Sequence, residues 1–182
     1  INNAPYITHA LRDTTLIEDF GKVSACYLPS FFSDIDNPSL SYTTTVLSVG
    51  VNTIISNDTL YLNGVQDYFG MVNIKVTASD GDLSVSDTFI VTITNINDPP
   101  FIITLSMDTT INEDAGEVFL FKMNSVFGDV DGDVLIFNAV SSDTSKLISH
   151  ISNDSLYVNT VMDSFGLVEI YLSASDTSFI PA

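Results

Sequence analysis

Asp34-Ile35-Asp36 and Asp129-Val130-Asp131 each place two carboxylates two residues apart, and Ala78-Ser79-Asp80 and Ala174-Ser175-Asp176 add one acid to each set. A third group, Asn95-Ile96-Asn97-Asp98, lies directly before Pro99-Pro100. Carboxylates and amides at such spacing are hard oxygen donors, and the chemistry they suit is cation binding. Ca²⁺ takes six to eight oxygens from carboxylates, amides and backbone carbonyls. Two carboxylates about 5 Å apart at an effective dielectric near 20 repel by roughly 3 kcal/mol, so clustered acids call for a cation between them. The bland alternative is turn chemistry, because Asp-x-Asp and Asp-Gly also favour tight turns. Paired carboxylates can hydrolyse glycosidic bonds. These acids recur at the ends of repeated segments, which suits ion binding better, and no enzymatic activity is expected.

Other catalytic patterns are missing from the sequence. It has no Gly-x-Ser-x-Gly elbow, no phosphate-binding loop and no histidine-rich zinc pattern. His9 and His150 are the only histidines and occupy unrelated positions, which predicts surface or edge residues. Cys26 is the only cysteine, so no intrachain disulfide can form, and its apolar neighbours predict a buried, inert thiol. Asp129–Asp133 departs from an EF-hand loop: its sixth position is Val134 instead of Gly, and its twelfth is Val140 instead of Glu.

Charge narrows the function classes. There are 23 Asp+Glu against 5 Lys+Arg in 182 residues, a net charge of −18. Such a chain repels phosphate backbones and anionic membrane surfaces, so nucleic acid is not an expected partner. The hydrophobic fraction of 45% is enough for a real core. No apolar run approaches transmembrane length, so no membrane insertion is expected.

The elements that position the acids come in two copies. Glu18-Asp19 recurs as Glu113-Asp114, and Asp34-Ile35-Asp36 as Asp129-Val130-Asp131, both at an offset of 95 (19 to 114, 34 to 129). Ser56–Tyr61 recurs as Ser152–Tyr157, Asp67–Gly70 as Asp163–Gly166, and Ala78–Asp80 as Ala174–Asp176, now offset by 96 (56 to 152). Val72, Ile74, Val76 and Ala78 alternate with polar residues, as do Phe89, Val91 and Ile93, and Val168, Ile170 and Leu172. That period of two predicts strands with one buried face. Turn signals fall between them at Asn57-Asp58, Asn63-Gly64 and Asp80-Gly81. No helix is predicted. The expected fold is all-β: two tandem immunoglobulin-like sandwiches, with about seven strands in a full repeat. Repeat 1 is read over 1–98, with junction residues 1–5 preceding it, and repeat 2 over 99–182, ending before a counterpart of Phe89–Asp98. The junction motif recurs as Ile1–Pro5, which suggests an excerpt from a longer protein.

With these motifs in this order, the sequence resembles the cadherin-like repeats of bacterial surface proteins, related to the dystroglycan-type cadherin-like domain. The resemblance covers both copies. Glu18 resembles the family's glutamate in the first strand region. Asp34-Ile35-Asp36 and Asp129-Val130-Asp131 resemble its Asp-x-Asp motif, and Ala78–Asp80 and Ala174–Asp176 its Ala-x-Asp motif. Asn95–Pro99 resembles its Asp-x-Asn-Asp linker, with Asn95 in place of the first aspartate. Asp67-Tyr68-Phe69 sits where cadherins carry Asp-Arg-Glu, so the usual second acid is absent, which implies one ligand fewer.

The resemblance implies Ca²⁺ as cofactor. It implies an inter-repeat ligand set of Glu18, Asp67, Asn97, Asp98, Asp129, Asp131 and Asp176. Asp34, Asp36 and Asp80 beside Asn2 and Asn3 form an outer set expected to bind more weakly. The expected function is a calcium-binding module of a larger secreted or cell-surface protein, acting in adhesion or as a calcium-stiffened spacer. Its implied partners are neighbouring repeats and homophilic protein or polysaccharide contacts. The alternative is an accessory or carbohydrate-binding spacer of a secreted polysaccharide-degrading enzyme.

Overall fold

The computed structural model describes residues 1–105 and 108–176. The chain divides into two compact units, Ile1–Ile96 and Asn97–Ala182, so Asn97 and Asp98 go with the second.

The first unit contains β1 (Tyr6–Ile7), β2 (Thr14–Ile17), β3 (Val23–Tyr27), β4 (Phe32–Ser33), β5 (Ser41–Val46), β6 (Val51–Ser56), β7 (Thr59–Gly64), β8 (Gly70–Ser79) and β9 (Ser84–Thr94). A four-stranded sheet β2-β9-β8-β5 faces a three-stranded sheet β3-β7-β6, and β1 pairs with β4. The two main sheets form the expected seven-strand sandwich.

Alternation sets the register. Val72, Ile74 and Val76 of β8 are fully buried, and Phe89, Val91 and Ile93 of β9 are at most 3% exposed. The two rows face the same core because Val72 pairs with Val91 and Ile74 with Phe89. Leu28, Phe32, Leu60 and Leu62 supply the opposing layer. Asn57 and Asp58 both take positive φ, 48° and 56°, between β6 and β7. Two central residues in that region make the two-residue hairpin whose twist matches its strands.

The second unit contains β10 (Phe101–Ile102), β11 (Glu117–Lys122), β12 (Phe127–Gly128), β13 (Leu135–Ser141), β14 (Leu147–Ser152), β15 (Ser155–Thr160) and β16 (Ile170–Asp176). Its β11-β15-β14 sheet repeats β3-β7-β6, and its β10–β12 pair repeats β1–β4. Even the irregularity recurs: the register shifts between Ser24 and Cys26 on β3 and between Phe119 and Phe121 on β11. The hairpin recurs too, with Asn153 and Asp154 at φ 46° and 56°.

The other sheet differs. Among the described residues it holds only β13 and β16, with no counterpart of β9 or β2. None of the described residues of this unit carries the β9 pattern. In the first unit β2 pairs only with β9, and its repeat, residues 109–112, is not strand among the described residues. Val168, Ile170 and Leu172, expected in the core, are only half-buried among the described residues, with their alternation kept. Apart from two three-residue 3₁₀ turns, Leu28–Ser30 and Met123–Ser125, the described residues contain no helix.

Candidate metal centre

Each unit gathers acids where its strands enter and leave the leading end. In the first, the chain leaves β4 at Ser33 and turns through Asp34–Asn37. Oδ1 of Asp34 accepts the backbone N–H of Asp36 and of Asn37, both at 2.7 Å. Those bonds are the aspartate's turn chemistry. Its other oxygen, Oδ2, is buried and has no hydrogen-bond donor. Asp36 is held from the start of the chain, its Oδ2 accepting the Asn3 backbone N–H and side-chain amide at 2.7 Å. Asp80 directly follows β8: its Oδ1 accepts the N–H groups of Asp82 and Leu83 at 2.8 and 2.7 Å, and its Oδ2 the Asn2 amide at 2.9 Å. Asn37 ties the set together through a 3.2 Å bond to the Asp80 carbonyl. The Leu83 N–H, the Asn2 amide and the Asp82 N–H hold the Asp80 carboxyl below its ordinary range.

The second unit builds the same turn after β12. Oδ1 of Asp129 accepts the Asp131 and Asp133 N–H groups at 2.9 and 3.2 Å. Oδ2 of Asp131 accepts the Asp98 N–H at 2.7 Å, which fastens the segment after Asn97 to this turn. Gly132 lies between at φ 78°, a left-handed value that glycine adopts freely. Asp129, Asp131 and Asp133 each present a carboxylate oxygen within 4.8 Å of the others. Oδ2 of Asp129, Oδ1 of Asp131 and Oδ1 of Asn97 are buried with no hydrogen-bond donor. Asp176 closes β16 opposite Leu135, and its repeat in the first unit, Asp80, comes directly after the last residue of β8.

The trailing ends carry the remaining candidates. Glu18 follows β2, is only 6% exposed, and accepts the Ile96 N–H through Oε1. Its Oε2 is buried without a donor. Asp67 donates its N–H to Oδ1 of Asp19 at 2.9 Å. In the second unit Asp163 and Asp114 make the same bond at 2.9 Å. Glu113, the repeat of Glu18, is exposed. Ile96, whose amide Glu18 accepts, follows the β9 region, and no described residue of the second unit corresponds to it.

A cation fits these residues on two grounds. The donors are oxygens of the hard kind, and several are buried with no proton donor facing them. A buried carboxylate oxygen without a partner is costly, and a bound cation removes that cost. Sequence reasoning missed Asp19, Asn37 and Asp133. Asp19 was visible in the repeated Glu-Asp pair. Asp133 was visible only as part of the rejected EF-hand pattern, because the one-turn geometry that brings it to Asp129 and Asp131 depends on Gly132.

No known protein family matches the sequence, and no curated protein matches it. Solved structures do match its fold. Two forms of human protocadherin-24 EC1-2 are 18% and 16% identical, with TM-scores of 0.55 and 0.51. These matches cover 96% and 97% of this chain and 88% of each protocadherin chain. An endo-fucoidan hydrolase from glycoside hydrolase family 107 matches over 96% of this chain at 17% identity, with a TM-score of 0.45. The chain spans only 27% of that hydrolase's length. The protocadherin likeness shows a cadherin-like fold.

Proposed function

We propose that the chain is a calcium-binding cadherin-like module, non-catalytic, that serves as a spacer or adhesive segment of a larger extracellular protein. The observation that carries this reading is the leading end of the second unit. There Asp129, Asp131 and Asp133 converge within 4.8 Å, and oxygens of Asp129 and Asp131 are buried without a donor. Asn97, Asp98 and Asp176 would complete the ligand set. Asp34, Asp36 and Asp80 form the corresponding set in the first unit, and Glu18 and Asp67 are the trailing-end candidates.

Bound calcium would neutralise the gathered carboxylates. The residues of this chain do the rest. Oδ1 of Asp129 keeps the turn closed while its Oδ2 stays available. Asp131 fastens the backbone at Asp98, so an ion held there restrains the segment that joins the two units. Restraint of a covalent linker is the mechanical basis for a calcium-stiffened spacer. The first unit's set binds more weakly, because the Asn2 and Asn3 amides already occupy Asp80 and Asp36. Each amide must turn to present its oxygen before it can help a cation. The affinity expected of such a module is that of extracellular calcium sites, Kd on the order of 10⁻⁴–10⁻³ M.

Thermal melting tests the proposal. At about ten times Kd, calcium stabilises the native state by about 1.4 kcal/mol. For a unit of this size that raises Tm by about 5–10 °C. Magnesium at equal ionic strength should give much less, since it demands a tighter octahedral shell. Equal shifts with both ions would reduce the effect to charge screening and remove the calcium site.

A further inference from the structure

Two equivalent sheets carry opposite charges beside the same tyrosine. β3-β7-β6 and β11-β15-β14 are made of corresponding strands in the two units. Leu156 and Val158 are buried, so alternation sends Tyr157 of β15 to the outer face. Leu60 and Leu62 do the same for Tyr61 of β7. In the first unit a cation stands on that ring: Lys22 Nζ lies 4.2 Å from the Tyr61 centroid. At that distance the negative face of the ring attracts the ammonium.

In the second unit the repeat of Lys22 is Glu117, and that of Ser24 is Phe119 (22 to 117, 24 to 119). His150 takes the place of Ile54 (54 to 150). The register sets Phe119, Tyr157 and His150 side by side across the three strands. Phe119 meets Tyr157 edge-on with ring centroids 5.6 Å apart, and His150 stacks on Tyr157 at 5.5 Å. Oε1 of Glu117 lies 3.3 Å from His150 Nε2, which keeps the carboxylate beside the rings. The Glu117 side chain is still 57% exposed, and Phe119 is 51% exposed. An acid therefore replaces the lysine, beside a wider aromatic surface.

We propose that this outer face binds an arginine side chain presented by a basic segment of a partner protein. The first unit shows what the tyrosine face takes, because Lys22 occupies it there. A guanidinium lies flat on aromatic rings and pairs with a carboxylate through its fork of N–H groups, so Phe119, Tyr157 and Glu117 suit one arginine. The net charge of −18 draws basic partners and makes a second copy of this chain a poor one. The inference rests on this sheet alone and is independent of the calcium reading.

The probe is the blocked peptide Gly-Ser-Arg-Ser-Gly, titrated into the intact chain in 0.15 M sodium chloride. The readout is the NMR shifts of the Tyr157 and Phe119 ring protons, which report this face and not the other acids. They should move saturably, and the same peptide with glutamine for arginine should leave them in place. Glu117→Lys/Phe119→Ser gives the second unit the first unit's pattern and should weaken binding by about tenfold or more. The reverse exchange, Lys22→Glu/Ser24→Phe/Ile54→His, should make the Tyr61 ring respond. Every substituted residue is one that the equivalent sheet already carries, and an otherwise unchanged amide spectrum checks the fold. Equal shifts with the glutamine peptide, or an undiminished response in the Glu117→Lys/Phe119→Ser chain, would overturn the proposal. So would a neutral oligosaccharide such as cellohexaose saturating these rings while the arginine peptide is inert, which would make the face a sugar platform.

Discussion

At the residue scale, Asp129 separates turn chemistry from ion binding. One oxygen caps the turn through the Asp131 and Asp133 N–H groups, and the other is buried without a donor. Asp129→Asn keeps an acceptor for the turn and removes the charge. Asp129→Ala removes both and adds a loss of about 1 kcal/mol for the missing bonds. The expected outcome is that the Asn variant melts near the native temperature without calcium yet no longer gains stability with it. An Asn variant that still responds fully to calcium would leave the aspartate as a turn residue only. Asp80 gives a pH test. Its carboxyl is held below the usual range by the Leu83 N–H, then by Asn2. For a depressed carboxylate, the stabilisation is present above the unfolded pKa and is lost as pH falls through the folded one. Asp80→Asn should therefore flatten the acid-side fall in Tm below the ordinary carboxylate range. An unchanged acid limb would show that the bonds do not persist in solution.

At the element scale, β8 and β16 are repeats with different surroundings. Ile74 is fully buried, whereas its repeat, Ile170, is half-buried. Ile74→Ala should cost about 2–5 kcal/mol, the range for a closed core, and Ile170→Ala distinctly less. Chemical denaturation of each variant checks this, and equal costs would mean that the second sheet is closed in solution. The alternation of Val168, Ile170 and Leu172 reads the same as that of Val72, Ile74 and Val76. Periodicity reports which face a side chain takes, and burial depends on a partner strand that lies elsewhere in the chain. What local chemistry does determine was legible: the Asn57-Asp58 and Asn153-Asp154 hairpins, the β8 and β9 alternation, and the Asp-x-Asp turns. Asp19 and Asp133 were not singled out, because their roles depend on backbone turns rather than on spacing.

At the scale of the whole molecule, the charge of −18 and the cadherin-like fold bear on one question. Dispersed acids respond to ionic strength, whereas a built site responds to one ion. Sodium chloride screens exposed charges, with a Debye length of about 8 Å at 0.15 M. Calcium should therefore act beyond screening. Small-angle scattering in salt plus calcium should show a narrower distance distribution than in salt alone, as the segment at Asn97-Asp98 is restrained. Identical profiles would leave the chain a plain spacer. The most direct measurement is a calorimetric titration with Ca²⁺ and then Mg²⁺ in excess salt, on the native chain and on Asp129→Asn/Asp131→Asn. The account predicts saturable calcium binding with Kd on the order of 10⁻⁴–10⁻³ M, much weaker magnesium binding, and loss of the tighter calcium phase in the double variant. No saturable heat up to about 10 mM Ca²⁺, or an unchanged isotherm in the double variant, would contradict it.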